Sequence, residues 1–409
     1  MKRRVFLNKI FSVAGFASLF ASKANAFGLF TTSFWKKRAT VAPWLVQSNT
    51  MDYFGSGAWA DSPIGIGARA CRMGDNTIGM IAGVAGNTAG VAAYITGSAS
   101  GAFTINGQYT PAATYTDSLG DQLEIECVKS TTSNQYYAVW CTGNSSYGLH
   151  AAKINSNAAG TAANTSFVIG GTGAGAYPSS GAIAAAVNSS DQLMIFYYYP
   201  SALRWSLLTS ALAVTSSKNS SASIPTSAFP ISAFSSGTDF FAVCASTSSN
   251  DLIIAKINSS GTYVSHSVFA LSNSLAPAQN NRGEAIYISA TSVILVWRSK
   301  TGLAVFANYN PSTSTFSTSA MDLGFSNQSI NAVVAAKNST NQIVVNYGQY
   351  FKMVDTTGAE VKPLIQVTNV RGGSGGIVFR SSDTRLVLVE TINVSTEKSG
   401  LYAREFTVS

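Results

Sequence analysis

The chain has 409 residues, of which 11% are charged and 46% hydrophobic. The charged share is under half the roughly 25% of an ordinary soluble domain, while the apolar share is ample for a large core, so intrinsic disorder is excluded. Two histidines and four scattered cysteines exclude a Cys/His-rich zinc module and a disulfide-dense miniature scaffold, and no cofactor or metal is expected.

The net charge of +8 belongs to the N-terminus. Lys2, Arg3, Arg4, Lys9, Lys23, Lys36, Lys37 and Arg38 precede the first acid, Asp52; beyond position 38, 18 basic residues balance 18 acidic ones. With no Lys/Arg stripe in that body, nucleic acid is not an expected partner.

Residues 1–26 have the layout of an export signal. Met1–Lys9 is basic, Ile10–Ala21 is apolar but diluted with Gly and Ser, and Ala24-Asn25-Ala26 is a small-x-small cleavage site. About 12 apolar residues are too few for a stable span. Arg3-Arg4-Val5-Phe6-Leu7 resembles the twin-arginine signal, although Lys2 stands where that signal usually has Ser or Thr. The resemblance implies export of a chain folded beforehand, to the periplasm, the cell surface or the medium. An ordinary secretory signal and an uncleaved arm docking into a larger assembly, as in a virion, are the competing readings. Residues 27–43 then form an aromatic and basic arm (Phe27, Phe30, Phe34, Trp35, Lys36-Lys37-Arg38). The arm fits a tail tucked against the domain or a contact with a membrane surface.

From residue 44 to 409 the sequence reads as all-β. Turns of Ser, Thr, Asn and Gly interrupt short runs rich in Val, Ile, Tyr and Phe. Seven copies of strand–turn–strand follow in order: 77–94, 123–141, 182–199, 231–245, 285–297, 332–347 and 377–390. A third run is visible in most, such as Leu149–Ile154, Leu252–Ile257 and Leu303–Tyr309. The turns Asn258-Ser-Ser-Gly261 and Asp355-Thr-Thr-Gly358 close third strands onto fourth ones. The turn centres lie about 49 residues apart, the repeat length of four-stranded blades. This pattern resembles the β-propeller architecture, and implies a seven-bladed ring of four-stranded antiparallel blades, with Gly79, Ala82, Ala184–Ala186 and Ala335 at crowded positions near a central channel. Tandem β-sandwiches are the alternative.

No catalytic constellation emerges. Glu124 and Glu126 alternate with Leu123 and Ile125, which reads as a solvated strand face rather than the facing carboxylates of a glycosidase. Asn188-Ser-Ser-Asp191 and Ser381-Ser-Asp383 resemble in part the repeated turn of propeller sialidases but lack its Gly and Trp, and read as Asx hairpin turns. The Asn-x-Ser/Thr sequons at Asn188, Asn219, Asn258 and Asn338 read as turn chemistry too. His150 and His266 read as half-exposed strand residues rather than bases. Gly170–Gly175 and Gly372–Gly376 lack a following helix or P-loop lysine. Cys127 and Cys141 flank one hairpin, and their pairing competes with buried free thiols.

A binding surface remains. The loops from second to third strands carry Tyr147, Tyr199, Arg298, Lys300, Tyr347 and Tyr350, chemistry suited to a glycan or a surface protein. The expected function is that of an exported, non-enzymatic binding module, an adhesin or a phage receptor-binding-like protein. A glycan-active hydrolase or lyase with a degenerate site, and a periplasmic envelope scaffold, are the alternatives.

Overall fold

The computed structural model describes residues 43–52, 65–75, 77–84, 91–96, 105–109, 125–142, 148–156, 165–167, 183–198, 202–279, 281–326, 332–368, 370, 375–380, 383–394 and 397–409. The signal residues Arg3, Arg4, Phe6, Leu7, Ala24 and Ala26, and the arm up to residue 42, lie outside the described residues.

The described residues form 28 strands and no helix. The first, β1 (Leu45–Asp52), joins the last blade. Blade 1 is β2 (Gly65–Arg72), β3 (Ile78–Val84), β4 (Val91–Thr96) and β5 (Ile105–Tyr109). Blade 2 is β6 (Ile125–Lys129), β7 (Gln135–Thr142), β8 (Gly148–Asn155) and β9 (Thr165–Phe167). Blade 3 is β10 (Ile183–Val187), β11 (Leu193–Tyr198), β12 (Leu203–Leu208) and β13 (Val214–Asn219), and blade 4 is β14 (Ala228–Ser236), β15 (Asp239–Ser246), β16 (Asp251–Ile257) and β17 (Tyr263–Ala270). Blade 5 comprises β18 (Glu284–Ser289), β19 (Ser292–Arg298), β20 (Leu303–Asn310) and β21 (Thr315–Ser326). Blade 6 comprises β22 (Val334–Lys337), β23 (Ile343–Tyr347), β24 (Tyr350–Val354) and β25 (Glu360–Gln366). Blade 7 is β26 (Gly376–Phe379), β27 (Arg385–Val394) and β28 (Glu397–Val408), completed by β1, which runs antiparallel to β28 from Leu45 opposite Val408 to Asp52 opposite Tyr402.

The innermost strands β2, β6, β10, β14, β18, β22 and β26 neighbour one another in that order, and β26 returns to β2. The fold is a closed β-propeller of antiparallel blades. The expected strand pairs recur in six of the seven copies. In the first, the hairpin expected at 77–94 is β3 with β4, the second and third strands. The true innermost strand is β2, whose sequence GIGARACR is too rich in Gly and Arg to look like a strand before its neighbours cover it.

A blade needs an apolar surface on both faces, and strand alternation supplies it. In β15, Phe241, Val243 and Ala245 join a core shared with Val293, Leu295 and Trp297 of blade 5. The intervening Phe240, Ala242 and Cys244 join a core shared with Phe196 and Trp205 of blade 3. The run FFAVCA is continuous in the sequence because each parity belongs to a different interface. Similar cores join blades 1 and 2, 2 and 3, and 5 and 6.

Polar residues fasten the rim. The Asp191 carboxylate, in the first hairpin turn of blade 3, accepts from Ser130 Oγ (2.8 Å), the Thr131 amide (2.9 Å) and Lys153 Nζ (2.6 Å) of blade 2. Asp383 repeats the device, accepting from the Ser339 amide (2.9 Å) and hydroxyl. The Asn188–Asp191 turn is an Asx turn as expected, with Asn188 Oδ1 accepting from the Ser190 and Gln192 amides at 3.0 Å, while Ser381 and Ser382 of the other turn lie outside the described residues. Gly261 has φ +80°, where a Cβ would also approach Ser216 Oγ to 2.6 Å. In blade 7, Arg380 and Arg385 meet Glu405, and Arg404 meets the fully buried Glu390.

Of the two readings of the cysteines, the buried free thiol holds for Cys127. Cys127 stands opposite Ala138 and Cys141 opposite Leu149, while the Cys127 sulfur lies 3.1 Å from Cys71 of blade 1.

Candidate functional site

Each innermost strand turns one edge to the axis, so consecutive residues line the channel, and its unpaired backbone groups must be satisfied there. Alanine, glycine and serine line much of it: Ala70, Ala185, Ser232, Ala233, Gly283, Ala335 and Ala336. The small side chains leave a cavity of about 380 Å³, to which all seven innermost strands contribute.

The strand register sorts the larger side chains into two layers. Arg72, Lys129 and Lys337 are each the last residue of an innermost strand, paired with the first residue of the second strand or its neighbour: Ile78, Tyr136 and Ile343. Tyr287, opposite Val293, holds the corresponding place in blade 5. These four share the mouth at which innermost strands turn into second strands. Lys129 and Lys337 are exposed, and Tyr287 is 41% exposed although it lines the cavity. Burial, and then the charge of Lys129, hold the Lys337 ammonium below the usual lysine range.

Three residues further in along the strands lie Arg69, Glu126 and Glu284. Glu126 Oε1 is 3.9 Å from Arg69 Nε, and its Oε2 is 3.4 Å from Arg282 Nη1. Arg69 also donates to the Gly375 carbonyl (2.5 Å), and Arg282 to the Ile125 carbonyl, so both arginines cap inner-edge backbone oxygens. Burial and the neighbouring Glu126 push the Glu284 carboxyl up to about 8, against the opposing pull of Arg69 and Arg282. Glu284 therefore holds its proton more tightly than an ordinary carboxyl. Glu126 does not lie on a solvated face as expected; it sits in the channel, because β6 is an innermost strand with no water-facing sheet surface. Glu124 lies outside the described residues.

The expected binding residues fall elsewhere. Tyr147 and Tyr199 lie outside the described residues. Arg298 Nε donates to the Tyr347 hydroxyl (2.9 Å) and its Nη1 to Asn281 Oδ1 (3.2 Å). Tyr347 is fully buried, and the half-buried Tyr350 packs on the same core between blades 5 and 6. Lys300 reaches the other way, donating to the Ser249 carbonyl (2.7 Å) and Asn250 Oδ1 (3.0 Å) of blade 4. Arg298, Tyr347 and Tyr350 thus gather at one blade boundary, and Lys300 spans another. His150 is buried rather than half-exposed, stacked on Trp140 with ring centroids 5.4 Å apart, and burial lowers it to about 4. His266 is half-buried, with its Nδ1 2.8 Å from the Tyr263 hydroxyl.

Arg72, Lys129, Tyr287, Lys337 and Glu284 were not singled out from the sequence. A signal existed: a basic residue directly precedes the first turn in Lys129-Ser130, Lys337-Asn338 and Arg380-Ser381.

No protein-family profile matches the chain, and no curated protein is significantly similar to it in sequence. Solved structures do resemble it. The lectin BP39L from Burkholderia pseudomallei superposes with a TM-score of 0.61 at 16% identity, covering 85% of this chain and 97% of the lectin. A protein of unknown function from Dyadobacter fermentans gives a TM-score of 0.53 at 10% identity, covering 90% of this chain and 100% of that one. At such identities the likeness concerns the fold, and the fold it supports is the β-propeller.

Proposed function

We propose that this chain is a carbohydrate-binding β-propeller that works without catalysis, exported under its 1–26 leader and acting at a cell or particle surface. The observation that carries the reading is Tyr287. It is a large aromatic, 41% exposed, in a cavity wall otherwise rich in Ala, Gly and Ser. A sugar ring offers apolar C–H faces to such a side chain, while its hydroxyls need donors and acceptors. Lys129 and Lys337 supply donors at the same mouth, and Glu126 and Glu284 stand deeper in the same cavity. About 380 Å³ is near the lower end of the roughly 300–1,000 Å³ of ligand pockets, which suits a short saccharide. The scaffold shared with a lectin supports the reading.

The test is a glycan array with the full chain, followed by titration of the best ligand against Tyr287→Ala. Binding weakened roughly tenfold or more is expected, the scale of one lost aromatic contact. No glycan bound, with one stoichiometric protein partner recovered instead, would refute it in favour of an envelope scaffold. Export is tested by N-terminal sequencing of the mature protein, which should begin at Phe27. An intact leader on a purified particle would favour the virion variant.

A second reading rests on a specific observation. Glu284, whose carboxyl burial and the neighbouring Glu126 raise to about 8, shares the channel with Glu126, ion-paired to two arginines. One carboxyl with a raised pKa and one charge-paired carboxyl are the groups a glycoside hydrolase uses. Turnover of chromogenic glycosides that disappears in Glu284→Gln would establish this reading over the first.

A further inference from the structure

We infer that the saccharide is acidic, its carboxylate or sulfate seated between Lys129 and Lys337 at the channel mouth; this rests on the carbohydrate reading above. Lys129 belongs to blade 2 and Lys337 to blade 6, with Arg72 of blade 1 and the Tyr287 ring of blade 5 completing an arc through blade 7. The register puts all four at one level. At the same level, blades 3 and 4 present the uncharged Val187 and Ser235.

The cations are held by few counter-charges. Arg72 donates to the Arg380 carbonyl (2.8 Å), and Asp383 is the carboxylate it feels. Among the described residues, Lys337 Nζ donates to the amide oxygen of Asn341, at 3.4 Å, rather than to a carboxylate. The mouth carboxylate Asp191 is committed to Lys153, and Asp239 to Lys256. Two ammonium groups facing one mouth both attract an anion placed between them. The aromatic beside them makes that anion a substituent on a ring rather than a free ion. Lysines act as point charges, so carboxylate and sulfate share the recognition chemistry, and the ligand chosen for the test distinguishes them.

The experiment probes the full chain on an array carrying neutral, uronic-acid-containing and sulfated saccharides, at about 50 and 500 mM salt. Acidic saccharides should bind at least tenfold more tightly than neutral ones of the same backbone, and lose most of that margin at high salt. Lys129→Gln with Lys337→Gln should abolish the margin, weakening acidic ligands at least tenfold more than neutral ones, which lose only the lysine donors; both side chains are exposed, so the fold tolerates the change. Tyr287→Ala should weaken acidic and neutral ligands alike. Equal, salt-insensitive binding of neutral and acidic sugars would overturn this inference and leave the carbohydrate reading standing. No binding to any saccharide would overturn both.

An independent observation concerns the wall between blades 1 and 2. The sulfurs of Cys71 and Cys127 lie 3.1 Å apart on adjacent innermost strands, both as free thiols. Cys71 is half-buried and Cys127 buried, and both border the cavity. The structure assigns this pair as a disulfide site, oxidised by exchange with a disulfide reagent of the exported environment. The Cys71 thiolate attacks the reagent, forming a mixed disulfide and releasing one thiol. Deprotonated Cys127 then attacks Cys71 Sγ, forming the Cys71–Cys127 bond and releasing the second thiol. Two protein thiols are oxidised and one reagent disulfide is reduced, with the protons passing to the released thiolates. Burial, reinforced by Cys71, pushes the Cys127 thiol up, which makes Cys71 the first attacker and ring closure the slow step. The full chain is incubated with oxidised glutathione and digested without reduction for mass spectrometry. A Cys71–Cys127 peptide is expected, replaced by glutathionylated Cys71 in Cys127→Ser. Thiols that stay free, or a bridge from Cys127 to Cys141, would overturn the assignment.

Discussion

Asp191→Asn tests how adjacent blades are held at the rim. Asn tolerates the φ of 58° found at this position, so the substitution removes charge without straining the turn. The amide oxygen can still accept from Ser130 and Thr131. What is lost is the 2.6 Å ion pair with Lys153, whose two side chains are 15% and 11% exposed. Removing one partner of a buried pair costs about 3–5 kcal/mol, because the other charge is stranded. The small remaining exposure and the retained hydrogen bonds lower this to about 2–3 kcal/mol. Urea unfolding should show that loss. Lys153→Met added to Asp191→Asn should cost less than the sum of the two single changes. Burial alone would raise the Asp191 carboxyl, but Lys153, Ser130 and the Thr131 amide together hold it below the usual range. A depressed folded value means the contribution is whole above the unfolded pKa near 4 and is lost as pH falls through the folded one. The gap between wild type and Asp191→Asn should therefore be constant from pH 6 to 8 and close in acid. A loss under about 0.5 kcal/mol, or a gap unchanged at pH 3, would refute the reasoning.

Glu284 has the opposite sign: a carboxyl raised to about 8 binds its proton more tightly in the folded state, so stability falls as pH rises from about 4.5 to 8. Glu284→Gln should flatten that decline, which denaturant titrations at pH 5 and 8.5 would detect. Glu390→Ala strands Arg404 in the closing blade and should cost about 3–5 kcal/mol in thermal or urea unfolding, while Glu390→Met with Arg404→Met should cost much less. Gly376→Ala would drive a methyl group into the Ala70 backbone where blade 7 meets blade 1, and should cost about 1–3 kcal/mol in the same assay. If Cys71 and Cys127 are oxidised, the chain-entropy argument gives about 4 kcal/mol for a loop of this length, visible as a higher urea midpoint than in reducing buffer.

The repeat was legible in the sequence because a blade's requirements are local. Runs such as Phe240–Ala245 are apolar at both parities because both faces of the strand are buried, and turns such as Asn258–Gly261 carry the Asx oxygen and the left-handed glycine their hairpins need. Both features depend on residues within a few positions of each other. The channel was not legible, because Arg72, Lys129, Tyr287 and Lys337 meet only after the ring closes over more than 260 residues of chain. The same holds for Glu126, which looks like an ordinary polar strand residue until β6 is known to be innermost. Likewise Arg298 and Tyr347 look like rim chemistry in the sequence, yet packing of blade 5 on blade 6 turns them toward each other. Composition and local periodicity determined the blades; which edge of each blade meets the axis, and which charges share it, was decided by closure of the ring.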